Sequence, residues 1–211
     1  MEIERQVLEI MVQGGWVMWV LFVFSIVGMA VAAERGYFLR KSRTEMRPFL
    51  SQLHRALLQR RSVSEALKIT EATPGPVARV AATGLRRFSR STEQLEKALE
   101  RRSLKELRRL HRGLGILSTT ATTAPLLGFL GTVTGIMASF GAMSEWHTSN
   151  PALVAKGIQE ALTTTAAGLI VAVPAQLLYN TLASRVERIT SDVEEVANFL
   201  LEAREELGRV D

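Results

Sequence analysis

Between residues 114 and 140 the chain reads LGILSTTATTAPLLGFLGTVTGIMASF, without a charged side chain and with a dense scatter of hydroxyls and glycines. An α-helix rises about 1.5 Å per residue and needs roughly 20 residues to cross the hydrocarbon of a bilayer, so the stretch predicts a membrane-crossing helix with turns to spare. A helix that only sits in lipid could be built of leucine, isoleucine and valine throughout. This one carries Ser118, Thr119, Thr120, Thr122, Thr123, Thr132, Thr134 and Ser139. Acyl chains cannot hydrogen-bond these groups, so at least one side is expected to face protein or water. Gly128, Gly131 and Gly135 follow at spacings of three and four. That spacing places them on one face, where a second backbone can approach closely. The element reads as a wall between a packed neighbour and a polar interior.

Two further long apolar runs, 16–33 and 158–182, make three crossings in a chain of 211 residues, too few left over for a large soluble domain. The expected fold class is therefore an all-α membrane protein with three transmembrane helices. Cysteine is absent, which excludes disulfides, thiolate metal sites and a cysteine nucleophile. The spans hold no Ser and His pair, paired aspartates or HExxH, so an intramembrane enzyme is not expected, nor a metal or cofactor. The opening MEIERQVLEIMVQGG is acidic, and the apolar run after it exceeds a signal-peptide core, which predicts a retained helix.

The net charge of +5 hides an asymmetry: residues 34–112 hold 20 lysines and arginines against 8 glutamates, while residues 1–33 hold one arginine and three glutamates. By the positive-inside rule the 34–112 block is cytoplasmic. The N-terminus is then periplasmic, the 141–157 link periplasmic, and the 183–211 tail cytoplasmic. The basic block lacks an aromatic stacking surface or a nucleic-acid motif, and orientation alone accounts for it.

In chain order, residues 1–15 begin with a short amphipathic helix over 1–13, carrying Ile3, Val7, Ile10 and Met11 at helical spacing. The first span, 16–33, is framed by Trp16 and Trp19 at one end and Glu34, Arg35 and Tyr37 at the other, the placement of interfacial anchors. Its Val17, Val20, Leu21, Phe24 and Val27 read as a lipid-facing surface. Residues 34–112 predict a helical region with a capping box from Ser62 to Glu65 and a break at Thr73-Pro74-Gly75-Pro76. Its last helix, 91–112, is laced with opposite charges such as Glu96 near Arg101 and Glu100 near Lys105. No proline or clear stop follows, so this helix is expected to run on into the second span, 113–140. In the 141–157 link, Trp146 reads as an interface anchor and His147 as a solvated loop residue. The third span, 158–182, likewise is expected to continue as a helix into the 183–211 tail, where Val186, Ile189, Val193, Val196, Phe199 and Leu200 keep helical periodicity.

Pro125 in the second span and Pro174 in the third form the firmest constellation. Proline at membrane depth frees a carbonyl that hydroxyls or water can satisfy, and it kinks the helix. Two kinked helices packed through small residues, Gly168 among them, explain the pattern as well as a polar lumen does. Glu160 precedes Thr163, Thr164 and Thr165. An ionisable group in a span is a functional candidate, yet one this close to the outer boundary can be merely interfacial.

The runs APLLGFLGTVTGIM and GIQEALTTTAAGLIVAVPA, in that order, resemble the paired signature of the ExbB, TolQ and MotA proton-channel family, and GGWVMW with ERGYFL resembles an ExbB-type first span. Three spans match ExbB and TolQ better than MotA, which has four. The resemblance implies a homopentameric ring in the bacterial inner membrane, enclosing the helices of an ExbD- or TolR-like dimer and passing motion to a TonB- or TolA-like protein. It further implies that the proton-carrying aspartate belongs to the partner. Thr132 and Thr165 would then be the lumen threonines, and Glu160 the acidic residue beside the proton path. Gliding or swimming stators share these motifs, and a passive scaffold that only binds partner helices is the reading from another class.

Overall fold

The computed structural model describes Met11 and residues 14–146 and 151–208. The expected amphipathic stretch at 1–13 falls, except for Met11, outside the described residues, as do His147 and the side chain of Trp146. From Gly15 on, the described residues form seven helices and one π-helical turn in order: α1 (Gly15–Lys41), α2 (Met46–His54), the turn Arg55–Gln59, α3 (Val63–Ala72), α4 (Pro76–Leu85), α5 (Thr92–His111), α6 (Leu114–Trp146) and α7 (Pro151–Gly208). No strand occurs among the described residues. The chain is all-α, and α1, α6 and α7 are long and apolar enough to cross a membrane. The residues group into two compact units, Met1–Glu34 with Gly113–Thr181, and Arg35–Arg112 with Leu182–Asp211.

The first unit packs α6 against the start of α7, with α1 laid on both. Val17 and Leu21 of α1, expected to face lipid, are each 2% exposed and pack with Met18 against Ala124 of α6 and Ala172 of α7. The exposed side of α1 holds Val27, as expected, together with Trp16, Trp19, Phe22, Val23, Ile26 and Met29. Bulky residues wind around the whole helix, so composition could not say which of them would be covered. Gly28 sits where a Cβ would lie 3.5 Å from the Thr120 methyl, which brings α1 close to α6. Both α6 and α7 run unbroken through Pro125 and Pro174.

The second unit is a bundle of short helices around the later part of α7. Val193, Val196, Leu200 and Ala203 recur at helical spacing, each no more than 1% exposed, and meet Leu53, Leu57, Val80, Leu95 and Leu99. Each leucine so buried contributes roughly 1.5–3 kcal/mol relative to an exposed one. The break at 73–75 occurs as the prolines require: Gly75 takes φ +120°, open only to glycine at little cost, and Pro76 opens α4 at its first position.

Two local expectations are corrected. The helix through 91–112 does not run on into the second span. It ends at His111, Gly113 takes φ +84°, and α6 starts at Leu114. A glycine in the left-handed region just past a helix end is a common stop, here written as Arg112-Gly113. The capping box at Ser62 is half formed. The Ser62 hydroxyl accepts from the Glu65 amide at 3.2 Å, but the Glu65 carboxylate binds Arg60 rather than returning to the cap. In α5 the buried ion pairs centre on Glu106, whose carboxylate accepts from Arg79 at 2.7 Å and from Arg102 at 2.8 Å.

Candidate functional site

The seam between α6 and α7 in the first unit is closed by glycines. A Cβ on Gly168 would stand 2.7 Å from the Ala124 carbonyl oxygen and 3.1 Å from the Gly128 Cα. One on Gly128 would stand 2.9 Å from the Thr164 carbonyl oxygen, and one on Gly135 would stand 3.2 Å from that of Gly157. At Gly131 the same space is filled by the Thr164 side chain, whose methyl would lie 3.1 Å away. These neighbours are mostly backbone and cannot swing aside. Any side chain there would force the two helices apart.

Several hydroxyls of the two helices turn back on their own backbone. Thr122 donates to Ser118 O at 3.0 Å, Thr134 to Leu130 O at 3.0 Å, Ser139 to Gly135 O at 2.9 Å and Thr163 to Gln159 O at 2.8 Å. Back-bonding of this kind satisfies a hydroxyl without water or a partner chain. Thr122, Thr134 and Ser139 of the second span therefore need no wet face, whereas Ser118, Thr119, Thr120 and Thr123 donate no hydrogen bond among the described residues.

Thr132 and Thr165 behave differently. Their hydroxyls hydrogen-bond each other across the seam. Thr165 Oγ1 also lies 3.1 Å from Gly128 O, and Thr132 Oγ1 lies 3.2 Å from Ala161 O and 3.3 Å from Gly128 O. Both residues are half-buried, one edge of the pair meeting the surface of the unit. The close approach that lets them meet follows from the adjacent glycines. Two hydroxyl hydrogens face two carbonyls and two hydroxyl oxygens, so the group has more acceptor capacity than donors. Such a cluster suits a visitor that brings a hydrogen: a protonated carboxyl, a water or a hydrated proton.

Glu160 is half-buried on α7, and its Oε1 lies 2.7 Å from where a Cβ on Gly15 would stand. Gly15 is the first residue of α1. The carboxylate thus lies against a helix N-terminus, where peptide dipoles favour negative charge. Five residues, roughly 7.5 Å of helix axis, separate it from Thr165. The structure gathers the two threonines and the glycines into one group and sets Glu160 outside it.

Sequence reasoning missed Thr164. It is 1% exposed and its hydroxyl donates to Ala161 O at 2.8 Å, while its side chain, hydroxyl and Cβ foremost, fills the space above Gly131. Three consecutive threonines look alike in sequence. Only their register against the glycines of α6 assigns one to the core and its neighbour to the cross-helix pair. No group of His, Asp or Glu able to hold a metal ion occurs among the described residues.

Residues 72–195, which include the whole seam, match the family model described as the MotA/TolQ/ExbB proton channel family. The chain is 32% identical over 181 residues to a putative biopolymer transport protein ExbB homolog of Methanothermobacter thermautotrophicus, covering 86% of this chain and 64% of that one. It is 33% identical over 186 residues to the biopolymer transport protein ExbB of Pseudomonas putida, covering 84% and 55%. Against the Tol-Pal system protein TolQ of Haemophilus influenzae the figures are 32% over 193 residues, 82% and 80%. The chain thus spans between about half and two thirds of the two ExbB relatives.

Proposed function

This chain belongs to the MotA/TolQ/ExbB proton channel family, and we propose that it is the ring-forming subunit, a homopentamer, of a proton-motive-force-driven motor of the ExbB/TolQ type in the inner membrane. Its partners in this reading are an ExbD- or TolR-like single-span dimer inside the ring and a TonB- or TolA-like protein that receives the motion. The N-terminus is periplasmic and the C-terminus cytoplasmic, as the basic block requires.

The observation that carries the reading is the Thr132–Thr165 pair, the cross-helix hydroxyl cluster with acceptors to spare. In this reading the proton-carrying aspartate belongs to the partner, as the family resemblance implies; the described spans contain none. A protonated carboxyl donates into the cluster. Once ionised, it accepts from the two hydroxyls instead, each of which can turn from acceptor to donor. Protonation removes the cost of moving the carboxyl past the apolar wall, and the partner helices turn against the ring. A proton crossing 100 mV supplies about 2.3 kcal/mol, so several are coupled to one step of work.

The test is proton flux into vesicles holding the ring and its partner. Thr165→Ala or Thr132→Val is expected to abolish partner-dependent conduction, and normal flux in both removes the lining assignment. Glu160→Gln separates its two readings: lost energised transport supports a place on the path, and unchanged transport restores the interfacial reading. The passive-scaffold reading draws on the same pair, because its hydrogen bonds are closed within one chain. An uncoupler decides, since a scaffold functions without the gradient. A motility stator is the remaining variant, told apart by the pathway of the neighbouring genes.

A further inference from the structure

A hollow of about 670 Å³ in the second unit is walled by guanidinium groups. Arg40 from the last turn of α1, Arg43 from the loop that follows, and Arg185 and Arg188 from successive turns of α7 all line it. Two carboxylates share the wall, Glu45 and Asp192, which leaves the lining with a formal surplus of two positive charges. Arg40, Arg185 and Arg188 form no ion pair among the described residues.

The hollow is held in shape. Thr44 Oγ1 donates to Pro74 O at 3.0 Å and the Ser42 amide donates to Phe38 O at 3.0 Å, which fixes the loop on both sides of Arg43. The loop also lies so close to the 73–75 turn that a Cβ on Gly75 would stand 3.0 Å from Ser42 O. Buried Leu39 and Ile189 supply an apolar floor beside the charges.

Depth along the helices says what kind of anion arrives there. Arg40 stands seven residues past Ala33, where the first apolar run stops, and Arg185 and Arg188 stand three and six past Leu182. At about 1.5 Å per residue these are roughly 5–10 Å beyond the apolar segments, the level of phospholipid headgroups. Planar guanidinium forks recognise phosphate oxygens in pairs, and basic pockets at the cytoplasmic end of membrane helices collect acidic headgroups. We infer that this hollow is a binding site for the phosphate headgroup of an anionic phospholipid, with the glycerol side resting on Leu39 and Ile189.

The experiment uses the full chain in detergent micelles doped with phosphatidylglycerol or with phosphatidylcholine, with lipid retention read by native mass spectrometry. Phosphatidylglycerol is expected to be retained in preference to phosphatidylcholine. Retention is expected to weaken about 30-fold in the double variant Arg185→Gln with Arg188→Gln, which at about 1 kcal/mol per basic group near the surface is the loss of two charges. Arg185→Lys with Arg188→Lys keeps the charge and a part of the retention, which guards against a change of fold. The double variant Arg87→Gln with Arg101→Gln, on a separate basic surface, is expected to bind as the parent does. Equal retention of the two lipids overturns the inference, as does equal weakening by the two glutamine pairs. Inorganic phosphate that displaces the lipid at equal concentration replaces it with a small-anion site. Lipid retention is read without proton flux, so this outcome and that of the threonine variants are separate.

Discussion

Replacing Gly168 with alanine tests the α6–α7 seam most directly. The new methyl would stand 2.7 Å from the Ala124 carbonyl oxygen and 3.1 Å from the Gly128 Cα, both backbone. Ordinary contact begins near 3.4 Å, so the helices must part by about 0.7 Å at that level. A gap of that size forfeits a quarter to a half of the dispersion energy along the seam, and overpacking of this kind costs about 1–3 kcal/mol. It also stretches the cross-seam bonds from Thr165 to Gly128 O (3.1 Å) and from Thr132 to Ala161 O (3.2 Å) beyond the roughly 3.2 Å that ordinary hydrogen bonds span. Those bonds average about 0.6 kcal/mol each in membrane proteins. The expected loss is about 2–4 kcal/mol, read as a shift in the unfolding midpoint on titration with sodium dodecyl sulfate, followed by far-ultraviolet circular dichroism. The control is Gly36→Ala on α1, where a Cβ meets nothing within 4 Å. There the helix preference of alanine should stabilise by about 0.5–1 kcal/mol. If Gly168→Ala unfolds within about 0.5 kcal/mol of the parent, the seam is not closed by backbone contact.

Two further expectations concern the second unit. Burial and the neighbouring Glu195 raise the Asp192 carboxyl above its ordinary 3.8, and Arg43 opposes them only in part. The folded chain therefore holds a proton there that the unfolded chain gives up, and this group's contribution to stability falls as pH rises from about 4 through the raised value. Asp192→Asn removes that fall, so the variant should gain on the parent at pH 7 and not at pH 3 in thermal melts. Glu106→Gln replaces a carboxylate whose side chain is 4% exposed and which two guanidinia grip. It should cost about 2 kcal/mol in urea unfolding, the value of charge-assisted bonds discounted for the partial exposure of Arg79, and unchanged stability would show that the pairing contributes nothing net.

How much of this was legible in the sequence differs from residue to residue. The helical class and the three apolar helices follow from run length alone. The glycine register of α6 could be read from spacing, because three- and four-residue steps leave no choice of face. Which face of α1 is covered could not, since valine and leucine are as suited to a helix seam as to lipid. The end of α5 is legible in Arg112-Gly113, but the apolar text that resumes there without a proline masks it. The role of the hydroxyls was the least legible feature. A threonine that bonds its own carbonyl and one that reaches a neighbouring helix have the same letter, and only the distance between two backbones separates Thr134 from Thr132.

The folded-back hydroxyls have a consequence of their own. Threonine in a helix keeps two side-chain rotamers within reach, because its oxygen can rest on the turn below or point away from it. A carbonyl that loses such a guest still keeps its amide partner along the helix, so nothing unwinds when the guest leaves. Thr122, Thr134 and Thr163 are therefore swivels: one bond rotation frees a hydroxyl from its carbonyl and the reverse rotation returns it, with the helix intact in both positions.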